Sequence, residues 1–123
     1  MKHVEIAKSL FEWNARNLVA SACLKKSDIG AYFADSFLVI ANGKQYEANY
    51  DNDFEFLNQF RSTIGKISYK LGDFIKDEVN VVVPLKAQII RTDDTEENFE
   101  AILILKFNRH HKIVLWHEVY LKI

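Results

Sequence analysis

Up to about residue 65 the apolar residues recur with a helical period, and beyond it they alternate one by one. Val4, Ala7, Phe11 and Leu18 lie on one helical stripe, which Ile6, Leu10 and Trp13 widen. The pattern predicts a long helix over 3–24 with one face turned to a core. Lys25 and Lys26 suit its end, where the backbone dipole presents partial negative charge. Ser27 reads as the N-cap of a short second helix with Ile29, Tyr32 and Phe33 on one side. The β-rich run 37–41, the pair Asn42-Gly43 and the return run 44–48 spell a hairpin, because both positions of its two-residue turn favour positive φ. Asp51, Asn52 and Asp53 offer capping side chains and negative charge to a third helix. Its buried face is Phe54, Leu57, Phe60 and Ile64, and Gly65 is placed to end it.

From Lys66 the side chains alternate. Ile67, Tyr69 and Leu71 form one apolar row, the odd positions from Val79 to Ile89 a second, and Phe99 to Phe107 a third. The run 113–123 is apolar on both sides. Polar turns over 92–97 and 108–111 join these strands into an antiparallel meander. Pro84 has no donor for a ladder and marks a bulge or an edge position. Helices segregated from an antiparallel sheet define an α+β domain. The helices cover one face of a curved sheet wrapped into a cone, whose mouth is a natural site for a small molecule.

Composition narrows the function. One proline, four glycines and no repeat over 123 residues indicate a single domain spanning 1–123. Sixteen basic residues against seventeen acidic leave a net charge of -1, without the basic excess that nucleic acid or an anionic membrane requires. No apolar run approaches the ~18 residues of a membrane span. Glu5 and Glu12 interrupt any signal core, so the expected location is the cytoplasm. The lone Cys23 excludes an internal disulfide and a cysteine zinc site, and reads as a reduced, half-buried small hydrophobe. His110 and His111 are neighbours in a turn and point apart, so no metal is expected, and no phosphate loop or other motif implies a cofactor.

Two stretches in this order of elements resemble the nuclear transport factor two-like superfamily, which includes SnoaL-like polyketide cyclases and ketosteroid isomerases and has a cystatin-like fold. Tyr32-Phe33-Ala34-Asp35-Ser36 resembles the Y-F-A-D-D that follows the second helix in many members. Residues 112–120, Lys-Ile-Val-Leu-Trp-His-Glu-Val-Tyr, resemble the final strand. The resemblance puts the isomerases' general-base aspartate at Ala41 and their protonated aspartate at Leu103. Neither residue carries a proton, so steroid-type isomerisation is not expected. The acid/base carboxylate of SnoaL-like cyclases falls on Glu118, flanked along its strand by Trp116 and Tyr120.

Two facings of that strand are open. The family register turns Trp116, Glu118 and Tyr120 into the cone, where desolvation raises a carboxyl pKa. Hydrophobicity alone favours Ile113, Leu115, His117, Val119 and Leu121 as the core face and leaves Glu118 in water. Trp13, Tyr32, Phe33, Leu103, Trp116 and Tyr120 are candidate ligand contacts, although aromatics at helical spacing such as the first three are more often plain core. The implied function is binding of a small apolar molecule, with lyase, cyclase or isomerase chemistry at Glu118 and no cofactor. The alternative is a non-catalytic dimerisation or protein-interaction module. Ile102, Ile104, Leu115, Val119 and Leu121 would make an apolar outer face, which predicts a twofold homodimer through the sheet.

Overall fold

A computed structural model describes residues 2–123. Helix α1 spans Lys2–Asn17 and buries Ala7, Leu10, Phe11, Trp13 and Asn14. It stops well short of residue 24. The Asn17 side chain donates to the Trp13 carbonyl at 3.0 Å. Arg61 takes the carbonyls of Val19 at 2.9 Å and Ala22 at 2.7 Å, and the Ala20 amide bonds Ile64. Backbone groups that a longer helix would use internally are thus spent on the neighbouring elements. Cys23 lies on this connection and is exposed, not half-buried.

A 3-10 turn, Lys26–Asp28, leads into α2, Ile29–Tyr32. Ser27 lies inside the turn and caps neither element, since Lys25 holds the N-cap position of the turn and Asp28 that of α2. Strand β1 runs Phe33–Ala41, starting four residues earlier than the hydrophobic pattern indicated, and β2 runs Lys44–Asn49. Asn42 and Gly43 join them with φ of 50° and 84°, as the turn chemistry required. Helix α3, Tyr50–Arg61, opens on a reciprocal box in which Asn49 and Asn52 each accept the other's backbone N–H. It ends at Arg61, and Gly65 belongs to β3, Ile64–Leu71, at a bulge opposite Arg91. Strands β4 (Ile75–Lys76), β5 (Asn80–Arg91), β6 (Glu96–Phe107) and β7 (Ile113–Lys122) complete the chain.

The sheet order is β2-β1-β7-β6-β5-β3, with β4 beside β5. All pairings are antiparallel except β1–β7, which is parallel, so the sheet is mixed rather than wholly antiparallel. The last strand returns to pair with the first across the N-terminal helices. The β5–β6 register passes Pro84 without a bulge. The proline sits where β3 ends and β4 takes over, so its missing donor interrupts no continuous ladder.

The core is densest at the base of the cone, where Val81, Val83, Leu103, Leu105 and Ile113 are fully buried against the helices. The opposite face of the sheet leaves Ile102 53%, Val119 60% and Leu121 66% exposed. No helix among the described residues is long and apolar enough to cross a membrane.

Candidate functional site

Above that base the helices and sheet separate, enclosing a cavity of about 670 Å³. Apolar side chains from the three helices and six strands form most of its wall, among them Leu10, Phe37, Leu57, Phe60, Leu85 and Ala101. Trp116, Glu118 and Tyr120 all line it, so β7 turns this row inward. The position opposite Glu118 explains the facing. Ala41 and Leu103 are its register partners on the two flanking strands, and both are inward, small or apolar positions. The row of greater hydrophobicity, Leu115 to Leu121, faces the other side of the sheet.

The Asn42-Gly43 turn fixes this part of β7. The Asn42 amide donates to the Glu118 carbonyl at 2.9 Å, and the Asn42 side chain brackets the Tyr120 backbone, donating to its carbonyl at 3.1 Å and accepting from its N–H at 2.7 Å. A residue that the sequence marks only as a turn former therefore also clamps the strand that carries the candidate acid/base.

Glu118 accepts one hydrogen bond, from Trp116 Nε1 at 3.3 Å. Burial pushes its carboxyl up from the usual range, and the Trp116 bond, which favours the ionised form, opposes the shift only in part. Tyr69 lies near enough that the Glu118 charge helps burial to raise its phenol, while a hydrogen bond with Asn14 works the other way. Asn14 and Tyr69 both line the cavity. Tyr120 stands at the mouth, 41% exposed, with its ring edge-on to Phe99.

Trp13, Tyr32 and Phe33 also reach the cavity. Two of their polar tips are already bound by protein: Trp13 Nε1 donates to Asp28 at 3.2 Å, and the Tyr32 hydroxyl lies 2.9 Å from Ser9 Oγ. These rings shape the wall more than they offer hydrogen bonds. Leu103 does not reach it. The side chain is fully buried below the cavity, and the ligand contact expected there is a core contact instead. No cluster of three metal-ligating side chains occurs among the described residues.

The cavity holds a second carboxyl, on a residue whose sequence position marks it only as part of a helix start. Asp53 is 7% exposed and lines the cavity from α3. Burial alone pushes its carboxyl up to about 6. A signal for it was present. Asp53, Phe56, Leu57 and Phe60 follow i, i+3, i+4, i+7 spacing, which sets the carboxyl on the helix's apolar stripe.

No protein-family model matches the sequence, and none of the curated proteins does. Solved structures do. An epoxide hydrolase/cyclase-like enzyme, SalBIII, of pyran ring formation in the polyether salinomycin superposes with a TM-score of 0.78 at 16% identity, covering 97% of this chain and 90% of that one. An NTF2-like protein of unknown function from Burkholderia pseudomallei gives 0.74 at 12% identity, over 96% and 89% of the two chains. The fold is NTF2-like. A putative SnoaL-like polyketide cyclase from Jannaschia shares the NTF2-like architecture at a TM-score of 0.74 and 10% identity, over 98% and 84%. At such identities the NTF2-like likeness is one of fold, and chemistry must come from the residues.

Proposed function

We propose that the cavity binds a small apolar, oxygenated molecule and that Glu118 moves a proton on it without a cofactor, in a lyase, cyclase or isomerase reaction. One observation carries this reading. A carboxyl with a single protein hydrogen bond stands in an apolar cavity large enough for a ligand, between an indole and a phenol. Its raised pKa brings it toward the range where one group both takes and returns a proton near neutrality. As a carboxylate, Glu118 accepts the proton of a hydroxyl or of a carbon next to a carbonyl. As the acid so formed, it delivers that proton to the oxygen on which charge develops. Tyr120, beside it on the strand, orients the ligand oxygen. The structural likeness to a pyran-forming enzyme and to a putative polyketide cyclase supports this choice, since ring closure also relocates a proton between oxygens.

The test is a carboxyl-resonance NMR titration together with Glu118→Gln. Glu118 should titrate above the ~4.3 of a model peptide. On any substrate that is turned over, the glutamine variant should lose at least ~100-fold in kcat and leave ligand affinity within a few-fold. An ordinary pKa, or full turnover by the variant, removes Glu118 as the acid/base.

The exposed row on the opposite sheet face supports a second reading, a twofold homodimer. Ile102 and Val119 are direct cross-strand partners, with Leu121 beyond them. Val119→Lys should give a folded monomer in analytical ultracentrifugation, where the unmodified protein sediments as a dimer. A monomeric unmodified protein at micromolar concentration overturns this reading.

A further inference from the structure

The Asp53 side chain forms no hydrogen bond and no ion pair with the described residues, although only 7% of the residue is exposed, and its oxygens open onto the cavity rather than into packed core. A carboxyl so placed is normally paired, because an ionised group out of water without a partner is costly. The two basic side chains that reach the cavity do not pair with it. The Arg91 guanidinium is committed to Glu97, with Nη2 at 2.6 Å and Nε at 2.8 Å, and to Thr63 through Nη1 at 3.1 Å. Lys44 forms no ion pair with Asp53 and lies at the exposed rim.

Three aromatic rings share the cavity wall with Asp53. Tyr46, Phe56 and Phe60 line the same wall, their ring centroids 6.2 and 6.1 Å apart in series. The Asp53 charge also helps to raise the Tyr46 phenol to about 12, which places that ring within electrostatic reach. A carboxylate and aromatic rings lining one wall of a mostly apolar cavity are the combination that holds an organic ammonium: charge against the oxygen, and the quadrupoles of the rings for the cation. A neutral hydroxyl would satisfy one oxygen lone pair and leave the charge uncompensated.

We propose that Asp53, with Tyr46, Phe56 and Phe60, forms a cation subsite, and that the ligand is an apolar molecule carrying a protonated amine. This rests on the cavity being a ligand site, and adds a nitrogen at the α3 wall to the oxygen function at Glu118. Asp53 here anchors and selects; the proton transfer belongs to Glu118.

Three probes on one ring system test it by isothermal calorimetry at pH 7.5: 2-(1-naphthyl)ethylammonium, 2-(1-naphthyl)ethanol and 1-naphthylacetate. The ammonium should bind at least ten times more tightly than the alcohol, and the carboxylate most weakly. Asp53→Asn should bring the ammonium down to the alcohol's affinity and leave the alcohol within threefold. In the unmodified protein, nuclear Overhauser contacts should run from the methylene next to nitrogen to the Tyr46 or Phe56 ring. Equal binding of ammonium and alcohol overturns the subsite while the cavity stands as a ligand site. Selectivity that survives Asp53→Asn and disappears in Glu118→Gln overturns the assignment to Asp53. Failure of all three probes to bind counts against the cavity itself and takes the subsite with it.

Discussion

Asp53→Asn is expected to stabilise the ligand-free protein at neutral pH, and to do so less and less as the solution is acidified. The carboxyl is raised from 3.8 to about 6 by burial, so the folded state holds its proton over a range in which the unfolded chain has released it. Between about pH 4 and 6 the unfolded chain therefore binds fewer protons, and the contribution of Asp53 to stability falls as pH rises. Above about 6 the penalty is complete. A shift of that size corresponds to about 3 kcal/mol. Asparagine keeps the shape and replaces a desolvated charge by a neutral amide facing the cavity, so the expected gain is about 1–3 kcal/mol at pH 7.5, shrinking to nothing near pH 4. Glu118 is raised in the same direction and adds slope of the same sign in both proteins, which cancels in the comparison. Urea unfolding at four pH values measures it. A variant less stable than the parent at pH 7.5 would mean that Asp53 is paired in solution.

That stability cost is also the reason to read the residue functionally. An uncompensated buried carboxyl is a local inconsistency, and folds tolerate such inconsistencies mainly at sites that do something. A ligand ammonium would return the missing partner, so the same residue that weakens the empty protein strengthens the bound one.

Most of the architecture was legible in the alternation of side chains. Period-two rows from Ile67 onward gave the strands, and Asn42-Gly43 gave the hairpin with the φ values observed. What escaped depended on tertiary partners. The end of α1 is set by Arg61 reaching carbonyls about 40 residues away in the chain, which no local pattern encodes. The parallel β1–β7 pairing follows from how the sheet wraps around the helices. At the site, the inward row of β7 was readable only from the resemblance, because hydrophobicity argued for the other face. The reason is physical: a ligand cavity needs polar groups facing in, and an apolar outer face reads as core to any burial rule. Asp53 was hidden for a related reason. Acidic residues at a helix start have an ordinary explanation in capping and the dipole, and that explanation masks its place on the apolar stripe.

Leu103→Ala is expected to be the most damaging of the substitutions considered, at about 2–5 kcal/mol. The side chain is fully buried in the core cluster, paired in register with Val83 on β5 and with Glu118 on β7. Neighbours on three strands and the helices above leave little room for collapse, which favours the upper part of that range. The substitution has a second consequence that a plain core role does not share. Directly paired side chains on antiparallel strands stand ~5 Å apart at Cβ, so the space vacated by Leu103 opens beside the Glu118 carboxyl and is continuous with the cavity. Water entering there would hydrate the carboxylate and relieve the desolvation that raises its pKa. The Glu118 titration should therefore move down toward the ordinary carboxylate range in Leu103→Ala, while Leu103→Met, which conserves volume, should leave it in place and cost less than ~1.5 kcal/mol. A Glu118 pKa indifferent to the alanine would show that the carboxyl is desolvated from the helix side alone, and a stability loss below ~1 kcal/mol would show that Leu103 borders open space rather than packed atoms.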